Sequence, residues 1–156
     1  MALGTLLPAW PALVFAYLEP ISLVLGLHAA YSDPISFITK QLPSSFTTPS
    51  PPIPASAILL SYTLGSLFLV LFLFSILCTL CARDSHVTKW YLVILACGDI
   101  AHLYANYRGM GREVFFGFGQ YNEVMVGNVW VTVFLWVNRV ATLGGVFGGG
   151  QWEAMR

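Results

Sequence analysis

Four ionisable side chains stand inside long apolar runs of this sequence, where a lipid-facing helix would carry leucine. They are Glu19, Asp99, His102 and Arg139. A charged group at bilayer depth costs roughly 2.5–3.5 kcal/mol on insertion scales, so such groups normally face the interior of a bundle, pair with one another and mark a functional site. The chemistry that they could perform together is proton transfer.

The balance of charge among these residues favours an acid and a base. Two carboxylates and one guanidinium leave one negative charge uncompensated in a medium of low dielectric constant. Because burial penalises that charge, we expect one carboxyl to keep its proton at neutral pH. Glu19 and Asp99 then become general acid and general base, a recurring arrangement in enzymes. We expect Arg139 to tune both carboxyls and His102, one turn from Asp99, to orient it or relay the proton.

Helical spacing places further polar residues beside these four. Asp99 and His102 share one face of a helix with Asn106, which lies one turn further on. Arg139 ends a similar stripe on the last helix. The residues that we expect to line a substrate pocket are Asn106, Asn128, Thr132, Trp136 and Ser22. Pro20 has no N–H, so we expect a kink that frees the carbonyl of Ala16 and widens this polar pocket.

The composition is typical of a membrane protein. Hydrophobic residues make up 57% of the 156 residues and charged residues 9%, whereas a soluble domain carries roughly 25% charged residues. A spanning helix needs about 20 mostly apolar residues, and four segments qualify, at residues 9–31, 55–82, 88–107 and 124–147. The sequence therefore predicts an all-α fold, a four-helix transmembrane bundle that forms a single domain over residues 1–156.

Several classes of function are disfavoured. The net charge is zero and no basic run occurs, so the sequence lacks the basic patch that is typical of nucleic-acid-binding proteins. Three cysteines within apolar runs argue against a disulfide framework. No pair of metal-ligand residues has the right spacing within one helix, and we expect neither a metal nor another cofactor; a haem or metal site between His28 and His102 is the weaker alternative. Lysine and arginine are evenly divided between the two sides, so orientation stays undecided.

Two connections between the predicted spans have distinct compositions. Residues 32–54 contain six of the nine prolines, which predicts an irregular connector on the membrane surface. Residues 108–123 mix glycines with Phe115, Phe116 and Phe118, which suits a loop half-inserted in the membrane interface or a lid.

Three stretches carry a resemblance to a known family. They are "YLEPISLVLGLHAAYSDP", "GDIAHLYANYRG" and "GNVW" followed by "NRVATLGG". On these stretches the chain resembles a fungal family of small four-span integral membrane proteins of unassigned function, often encoded in secondary-metabolite gene clusters. In type of chemistry it is loosely similar to fungal membrane terpene cyclases and sterol-isomerase-like bundles, which use intramembrane acids to protonate or shift double bonds. The resemblance implies a multi-pass protein of the endoplasmic reticulum.

Taken with the resemblance, these residues favour a membrane-embedded isomerase or cyclase. The expected substrate is an apolar terpenoid or polyketide intermediate, and the reaction includes a pericyclic ring-forming step among its candidates. The expected partners are the lipid bilayer, a hydrophobic small-molecule substrate and either a second copy of the chain or other pathway enzymes, but no nucleic acid. The alternative is a structural ion pair that fixes helix register in a non-catalytic membrane scaffold or small carrier.

Overall fold

A computed structural model describes residues 2–44 and 52–148 of the chain, and within these ranges all regular structure is helical. In chain order the helices are α1 (Ala9–Ser32), α2 (Pro34–Thr39), α3 (Ala55–Cys81), α4 (Ser85–Met110), α5 (Arg112–Phe115) and α6 (Glu123–Leu143). A single 3-10 turn, Phe118–Gln120, lies between α5 and α6. The predicted all-α class is thus confirmed for the described residues.

Within the described residues, three helices, α1, α3 and α6, are long and apolar enough to cross a membrane. They correspond to the first, second and fourth predicted spans. The last one ends at Leu143 rather than at residue 147, because the chain turns at Gly144 and Gly145, and Gly145 adopts a φ of 78°. The third predicted span lies within α4, whose 26 residues measure about 39 Å but include Lys89, Asp99 and Arg108 among the apolar residues.

Polar residues at the helix starts explain several boundaries. The Asp84 carboxylate accepts hydrogen bonds from the N–H groups of His86 and Val87, at 2.8 and 3.3 Å, and so caps the start of α4. In the same way Asp33 accepts from Ser36 at 3.0 Å and caps α2. The predicted irregular connector at residues 32–54 is therefore partly helical, and residues 45–51 of it lie outside the described residues.

The long helices form two antiparallel hairpins, α1 with α3 and α4 with α6. In the first hairpin the hydroxyls of Ser61 and Ser75 donate to the carbonyls of Ala30 and Phe15. The hairpins meet at the end of the molecule that holds the start of α1 and the end of α6, which we call side A. The buried core at that end consists of Leu7, Ala12, Val14, Phe15, Cys78, Tyr91 and Leu92.

At the opposite end, side B, a short segment after α2 ties the hairpins together. Lys40 forms an ion pair with Glu123, which raises the pKa of the lysine ammonium. The next residue, Gln41, accepts a hydrogen bond of 2.6 Å from Asn128 on α6. We call residues 40–42 the bridge segment. Between the two ends, the Glu19–Ser32 part of α1 packs extensively against α3 and α2, but only sparsely against the described residues of α4 and α6.

Each of the three apolar helices contains one π-helical turn, at Val14–Leu18, Leu77–Cys81 and Gly127–Val131. A π turn shifts the backbone hydrogen bonds by one residue and leaves a carbonyl in need of a donor. In each turn a neighbouring helix supplies one. Ser75 donates to Phe15, Thr88 donates to Cys78 at 2.9 Å, and the His102 ring hydrogen-bonds to the backbone of Asn128.

The first of these turns also frees a backbone carbonyl next to Pro20. The N–H of Glu19 bonds to the carbonyl of Val14, five residues back. The carbonyl of Phe15 therefore loses Glu19 as a donor, and the next residue along is the proline, which has no N–H. The carbonyl of Phe15 is therefore left without a helical donor. Because it accepts from Ser75 at 3.0 Å, it does not widen a polar pocket.

Candidate functional site

Arg139 forms the centre of the candidate site and is 1% exposed. Its Nη2 donates to Glu19 Oε1, and its Nη1 donates to Asp99 Oδ2. The carbon of the guanidinium lies 5.3 Å from the centroid of the Phe15 ring, within the range of a cation–π contact. One cation thus connects α1, α4 and α6. We refer to Glu19, Asp99 and Arg139 as the ion triad.

The two carboxyls of the triad are not equally buried. The Glu19 side chain is 5% exposed and the Asp99 side chain 14%. One oxygen of each carboxyl accepts from the guanidinium. Because there are two carboxyls and one cation, the triad carries one net negative charge when both carboxyls are ionised. Asp99 is the carboxyl that a molecule between the helices can reach more easily.

Tyr91 belongs to the same site, although the sequence reasoning missed it. It is 1% exposed, and its hydroxyl lies beside Glu19, Arg139 and Ser75. A signal for it exists in the sequence, because Tyr91 precedes Asp99 by eight residues and a spacing of two helical turns puts both on one face of α4.

Three buried polar atoms of this cluster have no hydrogen-bond partner in the described part of the chain. They are Glu19 Oε2, Arg139 Nε and Tyr91 Oη. A buried polar atom without a partner costs about 1–3 kcal/mol, and such atoms are few in native proteins. Together these three atoms can both donate and accept hydrogen bonds.

His102 is half-buried and bonded to α6. Its own carbonyl accepts from the Asn106 amide at 2.9 Å. Within residues 2–44 and 52–148 its ring bonds to the Asn128 backbone and not to Asp99. The expected role of orienting Asp99 therefore has no hydrogen bond to support it, whereas a role in joining α4 to α6 has one.

The predicted pocket residues are engaged in several ways. The Ser22 hydroxyl donates to the backbone carbonyl of Glu19 at 2.7 Å, and the side-chain amide of Asn128 donates to Gln41. Asn106 likewise bonds within its own helix. Thr132 is buried and Trp136 half-buried. Ser22 and Asn106 therefore bond within their own helices, whereas Asn128 links α6 to the bridge segment.

The alternative pairing of two histidines does not occur. His28 is exposed, and its ring bonds to the Ser32 hydroxyl one turn along the same helix at 3.0 Å. Among the described residues, no three His, Cys, Asp or Glu side chains are grouped so that they could hold a metal ion.

Comparisons with known proteins place the chain in a family but assign it no activity. No curated protein and no solved structure matches it significantly. A family model described as a domain of unknown function, DUF7704, matches residues 4–149, a range that includes all four long helices and the ion triad. The chain therefore belongs to the DUF7704 family.

Proposed function

We propose that this protein is a membrane-embedded isomerase or cyclase that acts by proton transfer on an apolar terpenoid or polyketide intermediate, with a pericyclic ring-forming step among the candidate reactions. The ion triad carries the proposal, because two carboxyls converge on one guanidinium inside a bundle of apolar helices. One ion pair would suffice to fix helix register. From the family resemblance we place it in fungal secondary metabolism, in the endoplasmic reticulum membrane.

The proposed roles follow from charge and exposure. One guanidinium balances one of the two carboxylates, so burial favours a state in which the other carboxyl holds a proton. Both carboxyls would contact the substrate, the more exposed Asp99 from the open side and Glu19 from the protected side. Arg139 holds both carboxyls in place, and His102 fixes α4 against α6.

We also propose that α4 crosses the bilayer, which gives four spans. It runs antiparallel along α6, since Asp99 meets Arg139 and His102 meets Asn128, and α6 is one of the apolar helices. Asp99 and His102, two of the polar residues that reduce the apolarity of α4, contact this partner. Lys89 and Arg108 lie near its ends, where long side chains can reach the interface.

The acid–base proposal is tested by Glu19→Gln and Asp99→Asn, which keep the shape of each side chain and remove its acid chemistry. General acid–base catalysis contributes roughly 10²- to 10⁴-fold, so we expect product to fall at least about 100-fold in each variant. The measurement is metabolite profiling of a strain that lacks the native gene and carries each variant in turn. The amount of protein in the membrane fraction is measured in parallel.

Glu123→Gln is the matched control, because it neutralises an exposed carboxylate of the surface ion pair with Lys40 and should leave product unchanged. Normal product from both Glu19→Gln and Asp99→Asn would refute the acid–base role. Deletion of the gene without any change in the metabolite profile would refute enzymatic function altogether.

A non-catalytic scaffold or small carrier is the second candidate, and the use of polar residues for helix contacts favours it. Arg139 joins three helices, and the side chains of Ser22, Asn106 and Asn128 are hydrogen-bonded within the protein. A scaffold predicts that Glu19→Gln combined with Arg139→Leu alters folding yield but not pathway chemistry, and that pathway enzymes co-purify with the chain. A carrier predicts proton-linked flux across sealed vesicles.

A further inference from the structure

We infer that the molecule bound at the ion triad is neutral and carries one hydroxyl or carbonyl oxygen at the end of an apolar body, with that oxygen placed among Glu19 Oε2, Arg139 Nε and Tyr91 Oη. This inference rests on the proposed function of the same site and adds the class of molecule and its orientation. It starts from the three buried polar atoms that lack a partner.

The chemistry of these atoms selects the oxygen group. The Nε–H of arginine can only donate, the tyrosine hydroxyl can donate or accept, and a carboxyl oxygen accepts when ionised. A carbonyl oxygen can accept from Arg139 and Tyr91 together. A hydroxyl can accept from Arg139 and donate to Glu19. Either group supplies partners to atoms that are otherwise left unpaired at a cost of about 1–3 kcal/mol each.

Charge disfavours an anionic group at this site, and hydrogen-bond direction disfavours a cationic one. A carboxylate or phosphate would enter a buried site that already holds two carboxyls and one cation, and its charge would remain uncompensated at low dielectric. An ammonium group would balance the net negative charge of the triad and could donate to Glu19, but it would leave the Nε–H of Arg139 facing a second donor. A neutral oxygen function avoids both penalties.

In this proposal the apolar body extends from the triad towards side B. There the Glu19–Ser32 part of α1 packs sparsely against the described residues of α4 and α6. Leu23 and Leu27 continue the helix face of Glu19 at intervals of four residues, and Leu103 continues that of Asp99. All three are half-buried. From Glu19 to Leu27 this apolar path measures about 12 Å.

Tyr91→Phe provides the decisive variant, because it removes only a hydroxyl that lies beside Glu19, Arg139 and Ser75 without forming a hydrogen bond of regular geometry to a described residue. Loss of an unpaired buried polar atom should leave the melting temperature unchanged or raise it. The probes are two photoactivatable chains of equal length in lipid nanodiscs, a long-chain alcohol and the matched alkane. We expect the alcohol to crosslink to α1 and α4 next to the triad. Its occupancy should fall roughly 2- to 10-fold in Tyr91→Phe, the value of one neutral hydrogen bond.

Tyr104→Phe is the control, since Tyr104 lies on the same helix but is 63% exposed and should leave labelling unchanged. The inference is overturned if alcohol and alkane label the same lipid-facing residues. The hydroxyl would then bring no ligand to the triad, and the three unpaired atoms would bind only water. A lower melting temperature of Tyr91→Phe would also overturn it, because the hydroxyl would then be structural.

The same experiment separates this inference from the proposed function. Site-specific labelling by the alcohol, together with full product from Glu19→Gln and Asp99→Asn, would keep the binding site and refute the acid–base role. Loss of product in those two variants without alcohol labelling would keep the acid–base role and refute the class of molecule inferred here.

Discussion

At the scale of residues, the choice of arginine at position 139 follows from the geometry of its partners. Nη1 and Nη2 donate to carboxyls on two different helices, which a planar guanidinium can do and a lysine ammonium on a flexible stem does less well. The ring of Phe15 covers the cation. The desolvation cost of burying this cation is offset only while these partners remain.

This balance predicts that Arg139→Leu strongly lowers the free energy of unfolding, and that removing both carboxylates as well restores most of it. The variant leaves two carboxyls without a counter-charge, and breaking a buried ion pair costs about 3–5 kcal/mol. The triple variant Arg139→Leu, Glu19→Gln, Asp99→Asn removes all three charges and should regain most of that loss. Thermal unfolding in detergent micelles measures both, with Arg112→Leu on α5 as the control. A triple variant as unstable as Arg139→Leu alone would contradict the charge-balance argument.

The cost of burying charge was enough to predict from sequence that Glu19, Asp99 and Arg139 belong together. It was not enough for Tyr91, because a tyrosine near the start of a membrane helix looks like an interface residue. It was also insufficient for His102, whose partner is a backbone group of the π turn at Gly127–Val131. Hydrogen bonds to backbone carbonyls depend on the local helix geometry, which the side-chain pattern does not encode.

At the scale of elements, the π turns connect the helices to one another. Each turn exposes a carbonyl, and a polar side chain of the neighbouring helix donates to it. The sequence predicted that Pro20 would free the carbonyl of Ala16. That the carbonyl of Phe15 is freed as well depends on a hydrogen bond from Glu19 to Val14, five residues back, which single-sequence reasoning does not anticipate.

Ser75→Ala tests this connection. Without the hydroxyl, the carbonyl of Phe15 stays buried and unpaired, so we expect a loss of about 1–3 kcal/mol of unfolding free energy. Thr63→Ala on the same helix is the control, because the Thr63 hydroxyl bonds to the carbonyl of Leu59 within α3. Chemical denaturation of the two variants in mixed micelles measures the difference. Equal stability of Ser75→Ala and Thr63→Ala would show that the π turn needs no donor from α3.

At the scale of the whole molecule, apolar composition was enough to predict long helices, and three of them meet the requirements for a membrane span. The fourth, α4, falls short because it carries Lys89, Asp99 and Arg108 among its apolar residues. The bridge segment was not predictable, since Lys40 and Glu123 are far apart in the chain and their contact depends on how the hairpins pack. The same contact brings the connection after α1 next to the start of α6.

That arrangement predicts the membrane topology. If all four long helices cross, the turn before α4 lies on one face of the membrane, and the connections after α1 and after α4 lie on the other. Single cysteines at His86→Cys, Thr39→Cys and Gly119→Cys report these three positions, in a background without Cys78, Cys81 and Cys97. A membrane-impermeant maleimide applied to sealed vesicles should label Thr39→Cys and Gly119→Cys from one face and His86→Cys from the opposite face. Labelling of His86→Cys and Gly119→Cys from the same face would mean that α4 does not cross the membrane. Because the triad joins α4 to two spanning helices, the triad would then have to lie near the membrane surface.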